Sequence, residues 1–330
     1  MADVNISPPD PDRLRGEDGF RDANRGQLLL VAGLVMAVSL VALVVLLNAT
    51  IYSENVATRG IEATDGEALE VRATAVEGTG SLIDATNRKA NADDDDYTVT
   101  RGAVEDGVAE LDTHLARTYA GRGGVTHLAV DSLRRGSYLT GNLSSASVAD
   151  DVNRTRGFVL DVDVSDDPPV GTNASAAPDE AFHVVFNHST GDTHEVYVYA
   201  NETESGNLTV AVGDDGTEPT VLCSVDPADL EDSDRVAVDL TGERVGGQSC
   251  PGIWPAELVS QSGSYAIDFE NGDAATGNAT ATVTAPSGGS VGSELDATPA
   301  VYDATIDLRY RTAELRFETV VRVAPGEPDV

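Results

Sequence analysis

Three histidines, His183, His188 and His194, fall within twelve residues of sequence, and imidazole is the commonest protein ligand for zinc and related metals. Whether they can share an ion depends on how the chain turns between them. A tight hairpin centred on Thr190-Gly191 pairs His188 with Thr193 and Asn187 with His194, which sends His188 and His194 to opposite faces of a sheet. Surface histidines are then expected, and only a loop with an odd residue count would give them a common face. The run Asp93 to Asp96 offers hard oxygen ligands for Ca²⁺ or Mg²⁺. It lacks the alternating ligands and central glycine of a calcium loop, and reads as a solvated turn.

Other chemistry is harder to find. The sequence contains no H-E-x-x-H, no phosphate-binding G-x-x-x-x-G-K-[ST] and no dinucleotide fingerprint. Arg134-Arg135 and Gly288-Gly289 stand in no phosphate-loop context. Paired carboxylates of the glycosidase kind carry no information in so acidic a chain. No catalytic residue, cofactor or metal is therefore expected. The lone tryptophan, in Cys250-Pro251-Gly252-Ile253-Trp254-Pro255, reads as a packed anchor beside a disulfide.

The elements that would carry these residues follow from periodicity. Ile51, Val56, Ile61, Leu69, Val76 and Ile83 recur at roughly helical intervals, with Gly60, Gly66, Gly78 and Gly80 weakening the pattern and the helix expected to bend or break at a glycine. Val104, Val108, Leu111, Leu115 and Tyr119 step by 4, 3, 4 and 4. That places them on one face of a second helix, ended by Gly121 and Gly123-Gly124. From about residue 125 the period falls to two. Strands are expected over 158–164, around 184–186 and 196–198, and over 207–212, 220–225, 235–240, 264–269, 279–285, 301–310 and 315–323. Short strands separated by turns predict an antiparallel sandwich.

Charge sets the environment. Asp and Glu number 56 against 21 Lys and Arg, for a net charge of −35, and Lys89 is the single lysine. Such a surface repels nucleic acid. It also repels itself unless salt screens it, the Debye length being about 3 Å at molar ionic strength. A protein of an extreme halophile is expected.

Leu28 to Leu47 are twenty residues without a charge, enough to cross the hydrocarbon core of a bilayer as a helix. Arg13, Arg15, Arg21 and Arg25 precede this run and only Arg59 follows closely, so the positive-inside rule puts the N-terminus in the cytoplasm and the rest outside. Eight N-x-S/T sequons lie beyond it, at Asn48, Asn142, Asn153, Asn173, Asn187, Asn201, Asn207 and Asn278, as in an exported glycoprotein. Outside the cytoplasm Cys223 and Cys250, the only cysteines, are expected to form a bridge.

Arg25-Gly26-Gln27 followed by the apolar run resembles the cleavage region of archaeal type IV prepilins, with Val31 where those families often carry Glu. The resemblance implies processing between Gly26 and Gln27 and a helix able to pack against like helices. More broadly, the chain resembles the pilin-like surface proteins of haloarchaea, for which no activity is implied.

The fold expected is α+β: residues 1–24 a disordered cytoplasmic tail, 25–48 a transmembrane signal-anchor helix, 49–124 a helical stalk, 125–325 a β-sandwich ectodomain and 326–330 a tail. The function expected is that of a non-enzymatic, membrane-anchored surface protein, pilin-like or pilus-accessory. Its partners would be the lipid bilayer and other pilin-like helices or envelope proteins, with no nucleic acid. An extracellular binding or sensor module and an anchored hydrolase are the alternatives.

Overall fold

The structure, a computed structural model, describes residues 66–89, 96–164, 181–201, 207–214, 218–230, 234–285 and 291–328, together with Met36 and Leu40. The chain divides into two units, Met1–Glu67 and Ala68–Val330. In the first, Met36 and Leu40 are helical and exposed. The expected spanning segment otherwise lies outside the described residues, as do Gly26, Gln27 and Asp93 to Asp95. Among the described residues no helix is long and apolar enough to cross a membrane.

The second unit is built on two antiparallel sheets. The larger contains β1 (Val125–Asn142), β3 (Arg154–Asp163), β8 (Arg235–Asp239), β9 (Arg244–Val245), β10 (Gln248–Ser249), β12 (Gly277–Thr284), β13 (Asp296–Arg311) and β14 (Arg316–Val323), in the order β10-β9-β8-β3-β12-β1-β13-β14. The smaller has the order β2-β11-β4-β5-β6-β7, from β2 (Ser147–Val152), β4 (His183–His188), β5 (Thr193–Asn201), β6 (Asn207–Gly213), β7 (Thr220–Val225) and β11 (Tyr265–Glu270). Alternate residues of both sheets meet in one apolar cluster. Leu139, Phe158, Leu160, Val238 and Ala281 come from the larger sheet, and Val184, Phe186, Val198, Val210 and Ile267 from the smaller. This is a β-sandwich core.

The α+β expectation is corrected here. The unit is mainly antiparallel β, and its two long helices form no stalk. Helix α1 (66–89) and helix α2 (Tyr97–Ala120) lie on the face of the larger sheet around β1, β13 and β14. Val71, Ala75 and Ile83 of α1 and Val104, Val108 and Leu115 of α2 share a second core with Leu128, Ile306, Leu308 and Tyr310. An amphipathic hairpin with an apolar stripe finds a lower free energy against the half of the long strands that the smaller sheet leaves uncovered than in water. Asp96 caps α2, its carboxylate accepting from the Thr98 backbone N–H, and Gly121 closes it.

Gly78 and Gly80 do not break α1, contrary to expectation. Gly78 allows close approach of the two helices, as does Gly107 of α2: a Cβ on Gly78 would stand 3.0 Å from Leu111, and one on Gly107 would stand 2.6 Å from Leu82. Leu69, expected on the buried face, is exposed, and Ala68 takes that place.

One clamp fixes the helices to the sheet. β14 ends opposite Ala304, so the backbone of β13 beyond that point has no strand on that side among the described residues. Asn87 of α1 fills the gap. Its amide nitrogen donates to the Val301 carbonyl at 2.9 Å, and its oxygen accepts from the Val301 N–H at 3.0 Å. Beside it Tyr302 is the extra residue of a bulge between the Arg135–Val301 and Arg134–Asp303 pairs. Arg156, only 2% exposed, donates to the Tyr302 carbonyl (2.7 Å), the Val301 carbonyl (3.1 Å), the Pro325 carbonyl (2.9 Å) and the Asp84 carboxylate (2.8 Å).

The carboxyl-terminal segment is held as firmly. Glu327 accepts from the Tyr302 hydroxyl at 2.9 Å and is ion-paired to Arg322 and Arg154. Burial pushes its carboxyl up, but the hydrogen bonds from Arg322 and Tyr302 and the charges of Arg322 and Arg154 outweigh that, and the net shift is downward. The chain is described as far as Pro328.

A candidate binding site around Trp254

Cys223 on β7 and Cys250 just after β10 are joined by a disulfide, their Cα atoms 5.8 Å apart. It ties the edge of the smaller sheet to the loop that leaves the larger one. That loop is also held by backbone bonds: Cys250 N–H donates to the Glu243 carbonyl and Gly252 N–H to the Glu243 carboxylate, both at 2.8 Å. It delivers Trp254 edge-on to Phe186, with ring centroids 5.5 Å apart. A short helix, α3 (Ala256–Val259), follows.

Trp254 is the wall common to three clefts. The largest, about 660 Å³, is lined by Asp192, His194, Asp214, Glu257, Leu258 and neighbouring residues. A second of about 370 Å³ reaches Arg154, Tyr265, Tyr302 and Glu327, and a third of about 290 Å³ reaches Thr241 and Glu243. Clefts of this size take small ligands or a few side chains of a partner. The carboxylates of Asp192, Asp214 and Glu257 give the largest a negative lining.

The histidines reach this region by a turn that differs from expectation. The observed pairs are Asn187 with Thr193 and Phe186 with His194. Five residues, 188–192, lie between the first pair, an odd number, with Gly191 at a φ of 99° that suits a residue without Cβ. This one-residue change of register puts His194 on the face of Phe186, and His188, two residues on, follows. The expectation of opposite faces is wrong for that reason.

No metal site results. Among the described residues no group of three or more His, Cys, Asp or Glu could hold an ion. Each histidine commits a ring nitrogen to the fold. His188 Nδ1 accepts from the Thr190 N–H at 3.2 Å, His194 Nδ1 stands 3.3 Å from Asp214, and His183 Nδ1 stands 3.0 Å from the Ala181 carbonyl while its ring stacks on Tyr197. His188 Nε2, His194 Nε2 and Trp254 Nε1 are buried and have no hydrogen-bond partner among the described residues. These three atoms are polar groups at this end of the sandwich that a ligand or water could satisfy.

His194 yields a test. Burial is the larger influence and holds its pKa below the ordinary 6.5, the hydrogen bond and charge of Asp214 and the charge of Glu195 pulling upward. The unfolded ring takes up a proton near pH 6.5 and the folded ring only at lower pH, so its stabilising contribution is complete above 6.5 and is lost as pH falls through the folded value. A His194→Phe variant is expected to show a shallower fall in stability as pH drops below 6.5, measured by urea unfolding at fixed salt. An unchanged slope would show that the ring is not held neutral.

The remaining sequence candidates are placed as follows. Asn142 and Asn278 are exposed and directly opposite each other on β1 and β12. Asn153, Asn187 and Asn207 are half-buried, and the Asn187 amide donates to Asp268 at 3.1 Å. Asn48, Asn173 and the Asn201 side chain lie outside the described residues. Arg134 pairs with Asp303 at 3.4 Å and Arg135 lies over the Tyr97 ring, so both serve packing. The clefts are the feature that sequence reasoning missed: Trp254 was visible, but not the loops that converge on it.

Fold and site together define a two-sheet β-sandwich with a helical hairpin on one face and a cleft-bearing end built on a disulfide-tied loop. Residues 22–163 are similar to a family of unknown function (DUF7261). That stretch includes the apolar run, both helices and the first three strands. No curated protein matches the chain, and no solved structure does.

Proposed function

We propose that this chain is a non-catalytic envelope-surface protein of a cell living in concentrated salt, whose sandwich unit works outside the cytoplasm and presents its Trp254 end to a ligand or partner. The observation that carries the reading is the Cys223–Cys250 bridge, a bond that lasts in oxidising compartments and is rare in the cytosol. The charge of −35 and the exposed sequon residues Asn142 and Asn278 support it. In this reading the uncharged run 28–47 holds the chain at the cell membrane with the N-terminus inside. Arg25-Gly26-Gln27 makes it a candidate for pilin-like processing.

The measurement is protease accessibility. Protease added to intact cells is expected to digest the sandwich unit, whereas sealed inverted vesicles protect it. The reverse pattern would end the proposal. Intact mass of the same material decides processing: a first residue at Gln27 supports the pilin-like route, and a start at Met1 or Ala2 excludes it.

A further inference from the structure

The free edge of the larger sheet is built to pair with itself. β14 is the last strand of its sheet, with no strand on its outer side among the described residues. Its side chains alternate, so that Arg316, Glu318, Val320 and Arg322 share the solvent face while Phe317, Val321 and Val323 pack toward the helices. Val320 is 64% exposed. An open edge strand with an apolar residue at its middle is a template for another strand.

Charge identifies that strand. Against a net charge of −35, the hairpin from Asp303 to Arg322 is neutral: Arg309, Arg311, Arg316 and Arg322 balance Asp303, Asp307, Glu314 and Glu318. It is a place where two copies of so acidic a protein can touch without local repulsion.

Register narrows the choice further. Two antiparallel copies of one strand, related by a two-fold axis normal to the sheet, must pair about a residue. Centred on Glu318, the two glutamates oppose each other. Centred on Thr319, Arg316 of each copy meets Arg322 of the other. Centred on Val320, Glu318 of each copy meets Arg322 of the other, Val320 meets Val320, and Phe317 to Val323 are all paired. Only the last of these registers joins opposite charges and avoids like ones.

We propose that β14 forms an antiparallel, two-fold pair with β14 of a second copy, centred on Val320, making one continuous sheet across a homodimer. Arg322 is held by Asp303, which accepts its Nε–H at 2.7 Å, and by Glu327, which accepts from both terminal nitrogens; the remaining N–H donors of its fork are left for the second copy. Glu318 holds only Arg316 of its own strand, at 2.9 Å, and keeps an oxygen for the second copy. Long-range repulsion between the acidic surfaces opposes the contact at low salt, so the dimer strengthens as salt rises.

The test uses the full chain in a mild non-ionic detergent, by sedimentation, from about 0.1 M to about 2 M KCl. A dimer whose share grows with salt is expected. Glu318→Arg sets arginine against arginine at both 318–322 contacts and Val320→Glu puts two like charges at the axis; each is expected to weaken association at least about tenfold, with circular dichroism and melting unchanged. Val320→Cys adds the only free thiol and is expected to give a disulfide-linked dimer on mild oxidation. A monomer at every salt concentration, or a dimer that survives Glu318→Arg and Val320→Glu, overturns the proposal, the latter because association then runs through another part of the chain.

Discussion

Replacing Arg156 by Met is expected to cost about 3–5 kcal/mol of stability, since removing one partner of a buried charged network strands the others. The guanidinium serves three backbone carbonyls, those of Val301, Tyr302 and Pro325, as well as Asp84. Methionine fills much of the volume but donates nothing, so those carbonyls lose a donor away from water. The effect corresponds to a fall in melting temperature on the order of 10 °C for a unit of this size. Arg156→Lys is expected to recover little, because a single ammonium cannot reproduce a planar fork that reaches several acceptors. Asp84→Asn should be milder, its side chain being 36% exposed. Urea unfolding at fixed salt measures all three, and an Arg156→Met variant within about 1 kcal/mol of the parent would refute the clamp.

The second large effect is expected at the disulfide. Cys223→Ser with Cys250→Ala opens a loop of 26 intervening residues, which chain entropy values at about 3–4 kcal/mol. Alanine is chosen at position 250 because that side chain is buried and a hydroxyl there would add a desolvation cost. The same change releases the loop that carries Trp254. As the single tryptophan it reports this directly, and its emission is expected to move to longer wavelength in the variant. A chain with both thiols shown free by mass, yet with unchanged midpoint and emission, would mean that the backbone bonds from Glu243 suffice.

Strands with strict alternation were legible in the sequence. Phe158, Leu160 and Val162 of β3 are buried in the phase that their spacing predicts, whereas in β5 Tyr197 and Tyr199 are buried along with Val196 and Val198. β1 was not recognised, although it makes the longest ladder in the molecule. Register shifts at Val130/Ser132 and Arg134/Arg135 move its buried positions from Thr126 and Leu128 to Ser137 and Leu139, so no single period of two runs through it. The first helix was legible as a helix, with Ile83 on its buried side, but Leu69 was misplaced. Its buried positions are largely Ala, Thr and Gly, whose value lies in close approach rather than hydrophobicity, and a scan for large apolar residues picks out Leu69 instead. Of the candidate site, Trp254 and the cysteines could be singled out. The β4–β5 register turned on one loop residue, which composition does not specify, and the convergence of loops on Trp254 is a property of the sandwich ends alone.

Asn87 and Val301 are separated by 214 residues, and Arg156 and Tyr302 by 146. A ribosome delivers the chain from one end, so the helical hairpin exists for most of synthesis with no β13 to receive it. Contacts so distant in sequence make for slow folding. A polypeptide that needs its final strands for these bonds completes its helix-to-sheet seam last.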